Sequence, residues 1–64
     1  MNAHNPAGRS LLQRLVDYRN RAEEMRIIAE TMHEEPAQVM RSIAAGYDCA
    51  ANSIQAMMQS ASQH

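Results

Sequence analysis

The sequence predicts an all-α fold, an antiparallel two-helix hairpin that dimerises into a four-helix bundle. Both halves of the chain carry apolar residues at alternating spacings of four and three, the pattern of helices that pack along each other. One proline-containing break separates the halves, and 64 residues amount to one small domain. A core of this size seldom supplies more than about 3–5 kcal/mol, and a single cysteine excludes an internal disulfide. Oligomerisation is therefore the expected source of further stability.

The start of the first helix is marked by a change of pattern. Residues 1–9 contain Asn, Pro and Gly without periodicity, and they predict a disordered lead. Residues 10–62 form the predicted hairpin, with its first helix over residues 10–33. Ser10 and Gln13 are spaced as a capping box, in which each side chain satisfies a backbone N–H at the helix start.

The predicted break between the helices is Pro36, which lacks a backbone N–H and is expected to restrict Glu35 to extended geometry. These properties predict a turn over residues 33–36 and a second helix over residues 36–60. Proline is favoured at the first helical position, and Glu34 and Glu35 suit the positive N-terminal end of a helix. Because the link is so short, the helices are expected to fold back on each other.

The heptad-spaced residues line one side of each helix and form the predicted hairpin core. Its members are Leu11, Leu15, Tyr18, Ala22, Met25, Ala29, Met32, Met40, Ile43, Tyr47, Ala50, Ile54 and Met57. With the pivot near Pro36, Met25 is expected to meet Tyr47 and Ala22 to meet Ala50. A register in which Tyr47 pairs with Ala22 is the alternative.

Further apolar residues beside the core predict a self-association surface. Its members are Leu12, Val16, Ile28, Ala37, Ala44, Ala51 and Met58, the last four spaced by sevens. A wide apolar face on both helices is typical of a four-helix bundle and favours a homodimer of hairpins. Alternatively, the alanines only raise helix propensity on a solvated surface.

The arginines of the first helix are the predicted partner-binding residues, namely Arg14, Arg19, Arg21 and Arg26. They flank the predicted core, and the flanking positions expected on the second helix contain no acidic residue. One interpretation is that they pair with Asp17, Glu23 and Glu30 on their own helix. The alternative, on which the predicted binding surface depends, is that they reach acidic groups of a larger protein partner, or phosphates, which suit the guanidinium fork.

Nucleic-acid binding is disfavoured by composition. The net charge is −1, and acidic residues interleave with the arginines. Phe and Trp, which serve as stacking platforms for single strands, do not occur.

Nothing in the sequence predicts a catalytic, cofactor or metal site. Glu30 and His33 have the E-x-x-H spacing of di-iron bundles, but Glu30 falls outside the core and the second helix offers no inward carboxylate. Cys49 points away from the core, with no His predictably near it. We therefore expect a protein that is not an enzyme and holds no cofactor.

The expected location is the cytoplasm. No apolar run approaches the roughly 18–20 residues of a membrane span, and the first residues lack the apolar centre of a signal peptide. A lone thiol also fits a reducing compartment.

Two segments carry a resemblance to known proteins. Residues 18–30 read Y-x-x-R-A-E-E-x-R-x-x-A-E, and residues 43–51 read I-A-x-x-Y-D-x-x-A. Together they resemble the short Arg/Glu/Ala-rich helical hairpins that recur among uncharacterised bacterial proteins. The resemblance covers about half of the chain and implies a hairpin with one Tyr in each arm. It implies no activity or ligand.

These observations predict a non-catalytic, small helical interaction or regulatory protein that self-associates and docks on a larger protein. The alternative hypothesis is a nucleic-acid-associated regulator that uses the arginines of the first helix. Retention on DNA with a steep salt dependence would separate the two.

Overall fold

The computed structural model describes residues 10–62, which form two α-helices packed against each other. Helix α1 spans Leu11–Ala29 and helix α2 spans Glu34–Ser62. Arg19 contacts Gln55, whereas Arg26, nearer the turn, contacts Asp48, so the helices run antiparallel. The predicted all-α hairpin is therefore confirmed for this part of the chain. The disordered lead predicted for residues 1–9 lies outside the described residues.

Helix α1 begins at the predicted cap. Ser10 has extended backbone geometry, and its hydroxyl oxygen accepts a hydrogen bond of 3.0 Å from the Gln13 backbone N–H. This contact satisfies one of the N–H groups that the first helical turn leaves without an intrahelical partner. The Gln13 side chain itself donates to Asp17 one turn further along, at 3.5 Å.

The turn lies about one helical turn earlier than the sequence predicts. After Ala29, the backbone N–H groups of residues 30–32 donate to carbonyls three residues back, at 3.0–3.2 Å. The Thr31 hydroxyl also donates to the Ile28 carbonyl at 2.9 Å, which helps to tighten this end of α1. Helix α2 then starts at Glu34, so Glu35 is helical and not extended as predicted. Pro36 lies inside the first turn, where a missing N–H costs nothing.

Small side chains form the buried core of the hairpin. Among the described residues, those that are at most 6% exposed are Ala22, Ala29, Ala37, Ala44, Ala51 and Ile54. On α1 the buried alanines belong to the predicted core, and Leu15, Tyr18 and Met25 beside them are partly buried, as is Met32 in the turn. Leu11, at the start of the helix, is 40% exposed. Since alanine has only a methyl group, this line permits a close approach of the two helices.

On α2 the predicted core is correct in part: Ile54 is buried and Met40 and Tyr47 are partly buried, whereas Ile43 and Met57 are not. The side of α2 that faces α1 carries Ala37, Met40, Ala44, Tyr47, Ala51, Ile54 and Met58. Ile43 and Met57, which the sequence predicts in the core, are 42% and 51% exposed, and Ala50 is only partly buried. Both sets have heptad spacing, so periodicity alone does not separate them. The alanine-rich set packs inward because it allows the closer helix approach.

The same finding overturns part of the predicted self-association surface. Ala37, Ala44 and Ala51 are at most 2% exposed within one hairpin, so they cannot meet a second copy. Met58 is also partly buried. By contrast, Leu12, Val16 and Ile28 on α1 are at least 41% exposed and stay available for association.

Candidate interaction surface

One broad side of the hairpin is held by ion pairs between the helices. We call it the ion-pair face; its residues are Arg19, Glu23, Arg26, Asp48, Asn52 and Gln55. Arg26 pairs with Asp48 at 2.8 Å and with Glu23 at 3.2 Å. The hydrogen bond to Asp48 raises the pKa of Arg26 above its ordinary value, and the hydrogen bond to Glu23 makes a smaller contribution in the same direction.

Arg19 completes the ion-pair face with three contacts to α2. Its guanidinium donates to Gln55 at 2.8 Å and to Asn52 at 3.1 Å, and it lies 3.7 Å from Asp48. Asp48 thus sits between two guanidinium groups from α1. The prediction that Arg19 and Arg26 have no partner on α2 is wrong, because it rested on the wrong inward stripe.

The opposite side of the hairpin is built around two aromatic rings. Tyr18 and Tyr47 contact each other with ring centroids 5.9 Å apart and planes inclined by 38°. On the α1 side of the rings, an open polar hollow of about 750 Å³ is lined by Asp17, Asn20, Arg21 and Glu24 in addition to the tyrosines. On the α2 side, a shallow hollow of about 350 Å³ is lined by Ile43, Gly46 and Ala50 with the same tyrosines. We call this side the tyrosine face.

The predicted partner-binding arginines therefore divide between the two sides. Arg19 and Arg26 cross-link the hairpin, whereas Arg21 lines the polar hollow of the tyrosine face. Arg14 precedes Arg21 by seven residues and lies on the same side of α1. No ion pair within 4 Å joins Arg14 or Arg21 to another residue of the described segment.

A continuous apolar stripe runs along α2 next to the tyrosines. We call it the outer stripe; its residues, spaced by four and three, are Val39, Ile43, Gly46, Ala50, Ser53 and Met57. Its three large side chains are 42–60% exposed, and none of its residues is charged. Sequence reasoning detected half of this stripe, through Ile43, Ala50 and Met57, but assigned those residues to the hairpin interior.

The exposed apolar residues of α1 are less continuous. Leu12, Val16 and Ile27 share one side of the helix, but Glu23 lies among them. Ile28 lies on another side, between Arg21 and Glu24 in helical projection. Ile27 is 54% exposed. It is absent from the predicted self-association surface, because it falls outside the heptad pattern of α1. The outer stripe is thus the longer uncharged surface of the two.

Metal-binding chemistry finds no support in the geometry of the described residues. Glu30 and His33 follow the end of α1, so they do not share the helix face that an E-x-x-H site requires. Residues 10–62 contain no group of three or more His, Cys, Asp or Glu that could hold a metal ion. Cys49 is exposed.

Comparison with protein-family models, with curated proteins and with solved structures finds no match to this chain. Within residues 10–62, neither helix combines the length and apolar character needed to cross a membrane.

Proposed function

We propose that this protein is a non-catalytic helical interaction module that self-associates and docks on a larger protein. The observation that carries the proposal is the distribution of side-chain size between core and surface. Among the described residues, the buried core consists of five alanines and one isoleucine. Larger aliphatic side chains, such as Ile27, Val39 and Ile43, remain largely exposed.

The energetics favour association. Complete burial of a large aliphatic side chain contributes about 1.5–3 kcal/mol, whereas one buried methyl group contributes only about 0.8 kcal/mol. An alanine core therefore gives this hairpin little of the stability that chains below about 70–80 residues need. Covering the exposed aliphatic residues with a second hairpin supplies it, and two stacked hairpins make a four-helix bundle.

Docking on a larger protein is proposed for the polar hollow of the tyrosine face. Tyr and Arg are enriched at the energetic centres of protein interfaces, and Tyr18, Tyr47 and Arg21 lie together there. Arg21 and Arg14 remain suited to acidic groups of a partner. Arg19 and Arg26 are left out of this proposal because Asp48 already binds them.

Nucleic-acid binding is not favoured by any contact in the hairpin. Two of the four arginines of α1 are engaged with a carboxylate, and Asp17 and Glu24 flank Arg21. A surface that follows a phosphate backbone needs unopposed positive charge. If the protein were retained on DNA with a steep salt dependence, the interaction-module proposal would be wrong and a nucleic-acid-associated regulator would be favoured instead.

The self-association half of the proposal is tested by light scattering over a concentration series, with circular dichroism on the same samples. We expect a helical dimer that dissociates on dilution. A protein that stays monomeric and fully helical at the highest concentration would contradict self-association.

The docking half is tested with a matched pair of charge reversals. Arg21→Glu is expected to abolish binding to the partner protein, whereas Arg41→Glu, the same change near the turn, is expected to keep it. Arg41 pairs only with the exposed Glu34 among the described acidic residues, at 3.5 Å. Equal binding by both variants would contradict the assignment of Arg21.

A further inference from the structure

We infer that the outer stripe of α2 pairs with the outer stripe of a second copy, antiparallel across a two-fold axis near residue 48. This inference rests on the proposed self-association and specifies the surface that performs it. In the inferred dimer, α2 and not α1 lies at the centre.

The order of side-chain sizes along the stripe is the first argument. In a two-fold symmetric contact, residue i of one copy meets residue j of the other, and j meets i in return. An axis at position 48 brings Val39 to Met57 and Gly46 to Ala50, with Ile43 facing Ser53. Large residues thus meet at both ends, and the smallest residues meet at the centre, where helices come closest.

Gly46 supplies an independent argument. Glycine is among the least favourable residues inside a helix, so its presence in the middle of α2 requires a reason. No glycine in the described part of the chain has a positive φ, so the backbone does not require one. A Cβ atom placed on Gly46 would also meet nothing within 4 Å in the hairpin. Close approach of another helix is the remaining reason, and the stripe lies where it would occur.

Charge distribution identifies the second helix as a copy of α2. A surface that pairs with itself brings like residues close to the axis, so charges there would repel each other. The outer stripe carries no charge, and its far edge consists of Ser42, Cys49 and Ala56. The charged residues of this part of α2, Arg41 and Asp48, lie on other sides of the helix. The exposed aliphatic residues of α1, by contrast, have charged neighbours.

The single cysteine reports on this arrangement directly. Cys49 is exposed and lies one residue beyond the proposed axis. The two copies of Cys49 would then be offset by only about 3 Å along the helix direction, on the same edge of the dimer. A dimer built on α1 would instead hold both copies of α2, with their cysteines, on its outside.

The first test is cross-linking of the unmodified chain with a short bismaleimide, at concentrations where light scattering shows a dimer. We expect rapid formation of a covalent dimer. Ile43→Glu is expected to abolish it, and Val16→Glu is the matched control, since Val16 on α1 is 43% exposed and Ile43 is 42% exposed. A dimer that resists cross-linking and is dissociated by Val16→Glu would overturn the inference while leaving self-association intact.

The second test keeps the hairpin intact by design. Gly46→Ala adds one methyl group where the hairpin has open space, so the helical content should stay the same or rise. In the proposed dimer the added methyl groups crowd the axis, and the dissociation constant should rise by about tenfold. An unchanged or lower dissociation constant would overturn the proposed centre. A chain that is monomeric before any substitution would instead contradict the proposed function.

Discussion

Helix α2 carries two heptad-spaced stripes, and the hairpin uses only one of them. We call Ala37, Ala44 and Ala51 the inner stripe, and each of them is at most 2% exposed. The outer stripe has larger side chains at Val39, Ile43 and Met57, and these are 42–60% exposed. Side-chain hydrophobicity alone therefore does not select the inward side of α2. Alanines permit close packing of α1 and α2, and Val39, Ile43 and Met57 are left for another surface.

The ion-pair face follows from the same choice. With the alanines turned inward, Asp48 lies at the edge of the helix contact, within 2.8 Å of Arg26 and 3.7 Å of Arg19. These pairs are partly exposed, so solvent screens them, and they act more on the relative position of the helices than on stability. The charged groups of the ion-pair face thus pair within the chain, whereas the opposite side of the hairpin exposes the apolar outer stripe.

The largest expected effect comes from placing a charge in the inner stripe. Ala51→Glu buries an unpartnered carboxylate at a position that is 0% exposed, and we expect a loss of about 3–5 kcal/mol and of most helical content. Circular dichroism measures the loss. Ala45→Glu is the control, because Ala45 is exposed on the same helix, and it should remain helical. If Ala51→Glu matched the parent in helicity, the inward role of this stripe would be wrong.

A charge in the outer stripe should act on association and not on the hairpin itself. For the parent chain, the thermal midpoint is expected to rise with protein concentration, as it does for folded dimers. Ile43→Glu removes the apolar burial that the dimer adds at this 42% exposed side chain, about 1 kcal/mol per copy, and places a charge there, so its midpoint should be lower and independent of concentration. Scanning calorimetry at several concentrations decides this. A midpoint that still rises with concentration would show that association proceeds without Ile43.

Gly46→Ala should have effects of opposite sign in two backgrounds. In the monomeric Ile43→Glu chain, it should stabilise α2 by about 0.5–1 kcal/mol, because alanine is the better helix former. In the parent chain, it should weaken the dimer. Thermal melts of the four chains at one concentration measure both effects. Stabilisation in both backgrounds would mean that Gly46 faces only solvent.

The smallest effect is expected on the ion-pair face. Asp48→Asn removes the charge that lies between Arg19 and Arg26, and it should lower the thermal midpoint slightly at low salt. In molar salt the difference should vanish, because screening already suppresses the pairs. Glu34→Gln is the comparison variant, since the Glu34–Arg41 pair lies within α2 alone. A salt-independent loss for Asp48→Asn would show that packing, not charge, dominates this side.

Local residue chemistry accounts for most of the hairpin. The Ser10 half of the predicted capping box is present, whereas the Gln13 side chain donates to Asp17. The chain reverses between Ala29 and Glu34, a few residues before Pro36, which lies in the first turn of α2. The apolar spacing of α1 also indicates its inward side correctly, because that helix has one dominant stripe with charged residues around it. The end of α1 was predicted too late, since the tightened turn after Ala29 leaves no trace in the apolar pattern.

The sequence pattern does not determine the inward side of α2 or the partners of Arg19 and Arg26. Two stripes of equal periodicity compete on α2, and their patterns in one dimension are equivalent. Only the packed pair of helices distinguishes them, because the contact distance favours methyl groups and the edge of the contact brings Asp48 to the arginines. Composition and periodicity therefore determined the two helices, their order and the face of α1. Tertiary packing decided which side of α2 is buried, and with it which residues are left to meet another molecule.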